Sequence, residues 1–199
     1  MEFFDWLEHS AFPMWIKESD SVWPYDIFCL SFHAIGMAVV VGVSAAVALR
    51  ILGFAPQLPL APMKKFFPLM YAGFWLNAAS GTGLFIAYPA KAVANPGFYI
   101  KMGGVAFALV CIRQLRRQVF GNPVSLDTGP VPMNGRIWAG TLLFVWFVTI
   151  VAGRLMAYHG VANVEWEAPL AILVVAGVML LVGYAAARLL GWSQPSLAD

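Results

Sequence analysis

The sequence predicts an all-α fold: a polytopic membrane bundle of about five transmembrane helices, preceded by an N-terminal amphipathic segment at the interface. Three observations predict it. Hydrophobic residues make up 61% of the 199 and charged residues only 11%, against roughly 45–50% and about 25% in an ordinary soluble domain. The mean hydropathy is +0.76. The apolar residues also gather into five stretches, each long enough to cross about 30 Å of hydrocarbon at about 1.5 Å per residue.

These stretches are 25–49, 66–88, 99–120, 137–159 and 168–190. The third has Lys101 near its start and Arg113, Arg116 and Arg117 near its end, so its basic end is expected to emerge from the bilayer. Pro24, Pro68 and Pro169 stand at or just inside helix starts, where a missing N–H costs little. Gly53, Gly121 and Gly191 follow helix ends as caps. Before the first span, Phe3-Phe-Asp-Trp-Leu-Glu-His-Ser-Ala-Phe-Pro-Met-Trp-Ile mixes aromatic and acidic residues over about three turns. It reads as an amphipathic stretch broken at Pro13, with Trp6, Trp15 and Trp23 at headgroup level. A second interfacial piece, 89–98, links spans two and three. The organisation is thus an outer interfacial segment (1–24), a bundle (25–192) and a short cytoplasmic tail (193–199).

Arg50, Lys64 and Lys65 flank the first loop and Arg113, Arg116, Arg117 and Arg136 the third, with Arg188 ending the last helix. The N-terminal segment and the fourth loop carry Glu2, Asp5, Glu8, Glu18, Asp20, Glu165 and Glu167 instead. The positive-inside rule then places the N-terminus in the periplasm and the C-terminus in the cytoplasm of a bacterial inner membrane. The acidic start, Met1-Glu-Phe-Phe-Asp, does not resemble the basic n-region of a secretory signal.

Five spans leave no room for a separate soluble catalytic domain. A formal charge of +2 does not suggest nucleic acid. The sequence holds no H-E-x-x-H, no Walker loop, no C-x-x-C and no paired intramembrane carboxylates, which speaks against hydrolytic or ATP-driven activity. Cys29 and Cys111 fall near opposite ends of the bundle, too far apart for a structural disulfide.

His33 is the first residue to explain, because an ionisable side chain is costly inside an apolar span and usually faces the bundle interior. At 100° per residue it shares a stripe with Asp26 and Ser44, and Gly36 lies beside it. The second span has a polar line of Gly73, Asn77, Gly81 and Tyr88, with Ser80 adjacent. Arg154 and Tyr158 share a face of the fourth, and Lys101 opens the third. With the topology above, His33, Arg154, Tyr158, Lys101, Tyr88 and Asp26 converge on the outer half. Each also has a plainer reading: His33 as a helix-to-helix hydrogen bonder, Asn77, Ser80 and Thr82 as packing groups, Arg154 and Lys101 as cations snorkelling to headgroups.

Three functional readings follow. His33 can ligate a haem b, with Gly36 admitting the porphyrin, Arg154 and Lys101 pairing with the propionates, and Asn77, Tyr88 and Tyr158 lining the same pocket; His159 is the candidate second ligand. Alternatively, Cys29, His33 and Met37 recur every four residues, and with Met102 and Met156 supply thiolate, imidazole and thioether donors suited to copper. Third, the chain is an accessory subunit that binds lipid or quinone in the outer pocket and anchors a periplasmic partner through its Trp-rich N-terminal segment and Glu165-Trp-Glu167. The first reading is preferred: an electron-transfer subunit, rather than an independent enzyme, between a periplasmic protein partner and the quinone pool.

His33-Ala-Ile-Gly36, Leu49-Arg-Ile-Leu-Gly53, Ser80-Gly-Thr-Gly-Leu84 and Tyr99-Ile-Lys101 together resemble small bacterial inner-membrane proteins of the copper-resistance D type and their relatives, over about the first 120 residues. The resemblance implies copper handling and a shared outer pocket for His33 and Lys101. The chain lacks the longer, more helix-rich form of the full copper-resistance proteins.

Overall fold

A computed structural model describes residues 2–121, 131–156 and Val178. Every regular element among them is helical. Two short helices, α1 (Glu2–Glu8) and α2 (Ala11–Glu18), come first. A π-wound stretch, Trp23–Ser31, then runs without a break into α3 (Phe32–Ile51). A 3-10 turn, Ala61–Lys65, leads into α4 (Phe66–Ala87); α5 (Pro89–Val93), α6 (Pro96–Gln118) and α7 (Met133–Leu155) complete the order.

Among the described residues three helices are long and apolar enough to cross a membrane, as in a membrane protein: Trp23–Ile51, Pro96–Gln118 and Met133–Leu155, with mean hydropathies of 2.1, 1.4 and 1.7. They correspond to the first, third and fourth expected spans. The second forms as a helix of 22 residues, α4, but is not among the three. Length is not what it lacks: Asn77, Ser80, Thr82 and its glycines, tyrosine and tryptophan hold its hydropathy down. The fifth expected span, 168–190, lies outside the described residues apart from Val178, as do Tyr158, His159, Glu165, Glu167 and the tail 193–199.

Local chemistry explains most boundaries. Pro13 does not break the N-terminal stretch. The break falls at His9 and Ser10, and Pro13 sits in the first turn of α2, where the N–H that proline lacks would have no intrahelical partner. Pro24, Pro89 and Pro96 open the π stretch, α5 and α6 in the same way. Asn95 caps α6, its Oδ1 accepting from Gly97 N–H at 2.9 Å. Gly53, at φ +103°, ends α3 as expected. Phe54 N–H reaches Leu49 O at 2.9 Å and Gly53 N–H reaches Arg50 O at 3.1 Å, the paired bonds of a Schellman cap.

The chain divides into two compact units, Met1–Ser44 with Lys65–Tyr99, and Ala45–Lys64 with Ile100–Asp199. In the first, α2 turns Pro13 and Ile16 inward, and Ile16 packs with Cys29 and Ala87. Lys17 forms an ion pair with Glu8 at 3.5 Å and lies 5.4 Å from the centre of the Tyr88 ring. In the second unit, α6 buries Ala108, Cys111, Ile112 and Leu115, and α7 buries Ala139, Leu142, Val145, Trp146, Thr149 and Ala152. Both sets recur at three- and four-residue spacing, the stripe a helix needs to bury one side. Arg113, Arg116 and Arg117 are exposed at the end of α6, as a basic end leaving a bilayer would be. Both cysteines are buried and free, one in each unit.

Candidate functional site

The strongest polar site of the first unit lies on the seam between α3 and α4. Its geometry begins in the π stretch, where Ile27 N–H bonds to Val22 O at 3.0 Å and Phe32 N–H to Ile27 O. Such i to i+5 winding advances less per residue than an α-helix and often accompanies functional positions. It changes the face on which upstream residues emerge. Asp26, expected on the His33 stripe, is exposed, and its carbonyl instead takes the Ser31 hydroxyl at 2.8 Å. Downstream, where the winding is α, Ser44 of the expected stripe and Gly36 beside it are buried, as is Val40.

His33 and Asn77 hold each other reciprocally. His33 Nδ1 lies 3.0 Å from the backbone oxygen of Asn77, and the Asn77 side-chain amide donates to the backbone oxygen of His33 at 2.8 Å. A carbonyl only accepts, so Nδ1 carries the hydrogen; in the neutral ring Nε2 then bears the lone pair. Ser80 Oγ stands 3.5 Å from the same Nδ1 and donates to Leu76 O at 2.7 Å.

Small residues allow the helices to come this close. A Cβ on Gly81 would lie 3.0 Å from His33 Cε1, so the bare glycine makes room for the imidazole. At Gly36 a Cβ would lie 2.5 Å from Asn77 N and 2.8 Å from Gly73 O, both backbone atoms. The open side of Gly36 is therefore filled by α4. Cys29 is wholly buried, its Sγ 2.7 Å from where a Gly83 Cβ would be. Met37, one turn beyond His33, is half-buried. Among the described residues no group of three His, Cys, Asp or Glu is placed to hold a metal ion.

The other described candidates have their own neighbours. Tyr88 joins α4 to α5, its ring edge-on to Tyr25 with centroids 6.3 Å apart, beside Lys17. Lys101 and Arg154 belong to the second unit. There the Lys101 chain lies along Gly153, its Cδ 3.4 Å from a built Cβ, and Arg154 is exposed. The buried hydroxyl of Thr149 faces Gly104 and donates to Val145 O at 2.7 Å. Tyr158 and His159 are outside the described residues.

Sequence reading did not find the pairing of Lys17 with Tyr88, or an apolar groove between α2, the π stretch and α4. The signal for the groove was the amphipathic α2 itself, whose aromatic residues Phe12 and Trp15 need an apolar neighbour. No family model matches the chain, and comparisons with curated proteins and with solved structures return no match. The likeness to the copper-resistance D type accordingly rests on its short motifs alone.

Proposed function

We propose that this chain is the membrane subunit of a bacterial redox complex that binds haem b through Nε2 of His33 and relays electrons between a periplasmic partner and quinone. The observation that supports this is how His33 is held. Ligating histidines generally donate their other ring N–H to a backbone carbonyl or carboxylate, which fixes the tautomer and raises the basicity of the ligating nitrogen. The bond from Nδ1 to the Asn77 carbonyl is of that kind. Histidine is a recurrent axial ligand of haem iron, and the haem supplies one-electron transfer. Gly36, packed against α4, takes no part in this reading.

The reading includes five spans in the inner membrane with the N-terminus outside. It counts α4 as the second, because it is long enough and uncharged, and 168–190 as the fifth. The distribution of Lys and Arg supports the orientation, and a reporter fused to the C-terminus is expected to be active only in its cytoplasmic form.

The deciding experiment is a reduced-minus-oxidised spectrum of purified protein. A sharp α band is expected, abolished in His33→Ala and retained in His9→Ala. A featureless spectrum in protein from haem-replete cells, or copper in its place by metal analysis, overturns the proposal.

A further inference from the structure

Between α2, the π stretch and α4 runs a groove of about 470 Å³, within the roughly 300–1,000 Å³ of small-molecule sites. Phe12 and Trp15 of α2, Trp23 and Phe28 of the π stretch, and Thr82 and Ile86 of α4 form much of its wall. That wall is hydrocarbon and aromatic. Its one hydroxyl, on Thr82, is engaged with Ala78 O at 2.9 Å. A quinone ring needs donors for both its carbonyls, and apart from Thr82 the side-chain donors of the lining are the indole N–H groups of Trp15 and Trp23; a hydrocarbon chain needs none.

An apolar stripe continues from Phe28 of the groove wall. Phe28, Phe32 and Ile35, spaced i, i+4 and i+7, are exposed along the candidate span Trp23–Ile51. Phe28 and Phe32 meet edge-on with centroids 5.9 Å apart. Phe28 thus belongs both to the groove wall and to an apolar stripe that the span exposes. At the rim, Trp15 and Trp23 are 56% and 67% exposed, as indoles are when one end is apolar and the other is at the wet interface.

We propose that the groove holds one acyl chain of a bilayer phospholipid, entering from the lipid-facing side of the span, with Trp15 and Trp23 at the level of its ester groups. The site is independent of the haem reading and stands or falls separately.

The test is lipid retention by the detergent-purified full chain, read by native mass spectrometry and by extraction. About one phospholipid per chain is expected. Thr82→Phe and Ala79→Leu, which fill the groove to different extents, are expected to lower retention at least tenfold while the protein elutes as before. Leu69→Val, exposed near the start of α4 and outside the groove's lining, is expected to change nothing. Unchanged retention in both filled variants, or a stoichiometric quinone in place of phospholipid, overturns the proposal. A measurement on the unmodified chain stands beside the variants. A phospholipid with a photoactivatable diazirine at mid-chain should label Thr82 and Ile86 in preference to the exposed Leu69 near the start of α4, and labelling without that preference also overturns it.

Discussion

Gly36 of α3 and Gly73 of α4 come against the backbone of the opposite helix, whereas Gly104 of α6 and Gly153 of α7 come against side chains. At Gly36 and Gly73 the nearest atoms include Asn77 N, Gly73 O and Val40 N; at Gly104 and Gly153 they belong to Thr149 and Lys101. Both pairs follow the membrane rule that small residues let helices approach. They differ in what can yield: a side chain turns aside, but a backbone that is already hydrogen-bonded cannot. The first unit has therefore spent its close approach on bringing His33 to Asn77. The second has spent it on laying a lysine chain and a hydroxyl against bare helix.

Substitutions can break or sharpen that contrast. Gly36→Ala should have the largest effect, because its Cβ meets only backbone atoms and the two helices must part. A loss of about 1–3 kcal/mol is expected from overpacking, read as a lower unfolding temperature in detergent. If Gly36→Ala unfolds like the unmodified protein, the backbone seam is wrong. Asn77→Leu comes next. It removes the amide bond to His33 O but leaves the Asn77 carbonyl in place, so about 0.6 kcal/mol and at most about 1.7 should be lost, as for hydrogen bonds between membrane helices. The His33 ring should also become less ordered, which ¹⁵N shifts of labelled histidine would report as a mixture of tautomers. A single unchanged tautomer would show that the side chain of Asn77 does not hold the ring. Gly153→Ala should matter least. Its Cβ would touch the flexible Lys101 chain at 3.4 Å, an ordinary contact, and alanine favours helix over glycine by about 1 kcal/mol. Neutral to slightly higher stability is expected, and a loss as large as that of Gly36→Ala would erase the difference between the units.

Much of the local structure was legible in advance because it depends on near neighbours. Prolines at helix starts and the glycine cap at Gly53 act within one turn, and apolar runs show where helices form. The break in the N-terminal stretch was misplaced because Pro13 is compatible with a first helical turn as well as with a break, and only the preceding turn decides between them. His33, Asn77, Ser80 and Gly81 were each visible as polar or small residues out of place in a span. Their mutual contact was not, since His33 and Asn77 are 44 positions apart and no periodicity within one helix sets the register against another.

Composition and pattern by themselves determined that this chain is helical and that its helices are apolar enough for a membrane, because solvent preference is a sum over residues. Tertiary structure alone decided which nitrogen of His33 carries the hydrogen, that Gly36 is closed by α4, that π winding turns Asp26 away, and that α2 leaves an apolar groove beside it. Each depends on which atoms of distant segments meet, and within a low-dielectric seam a shift of one residue in register changes every such meeting.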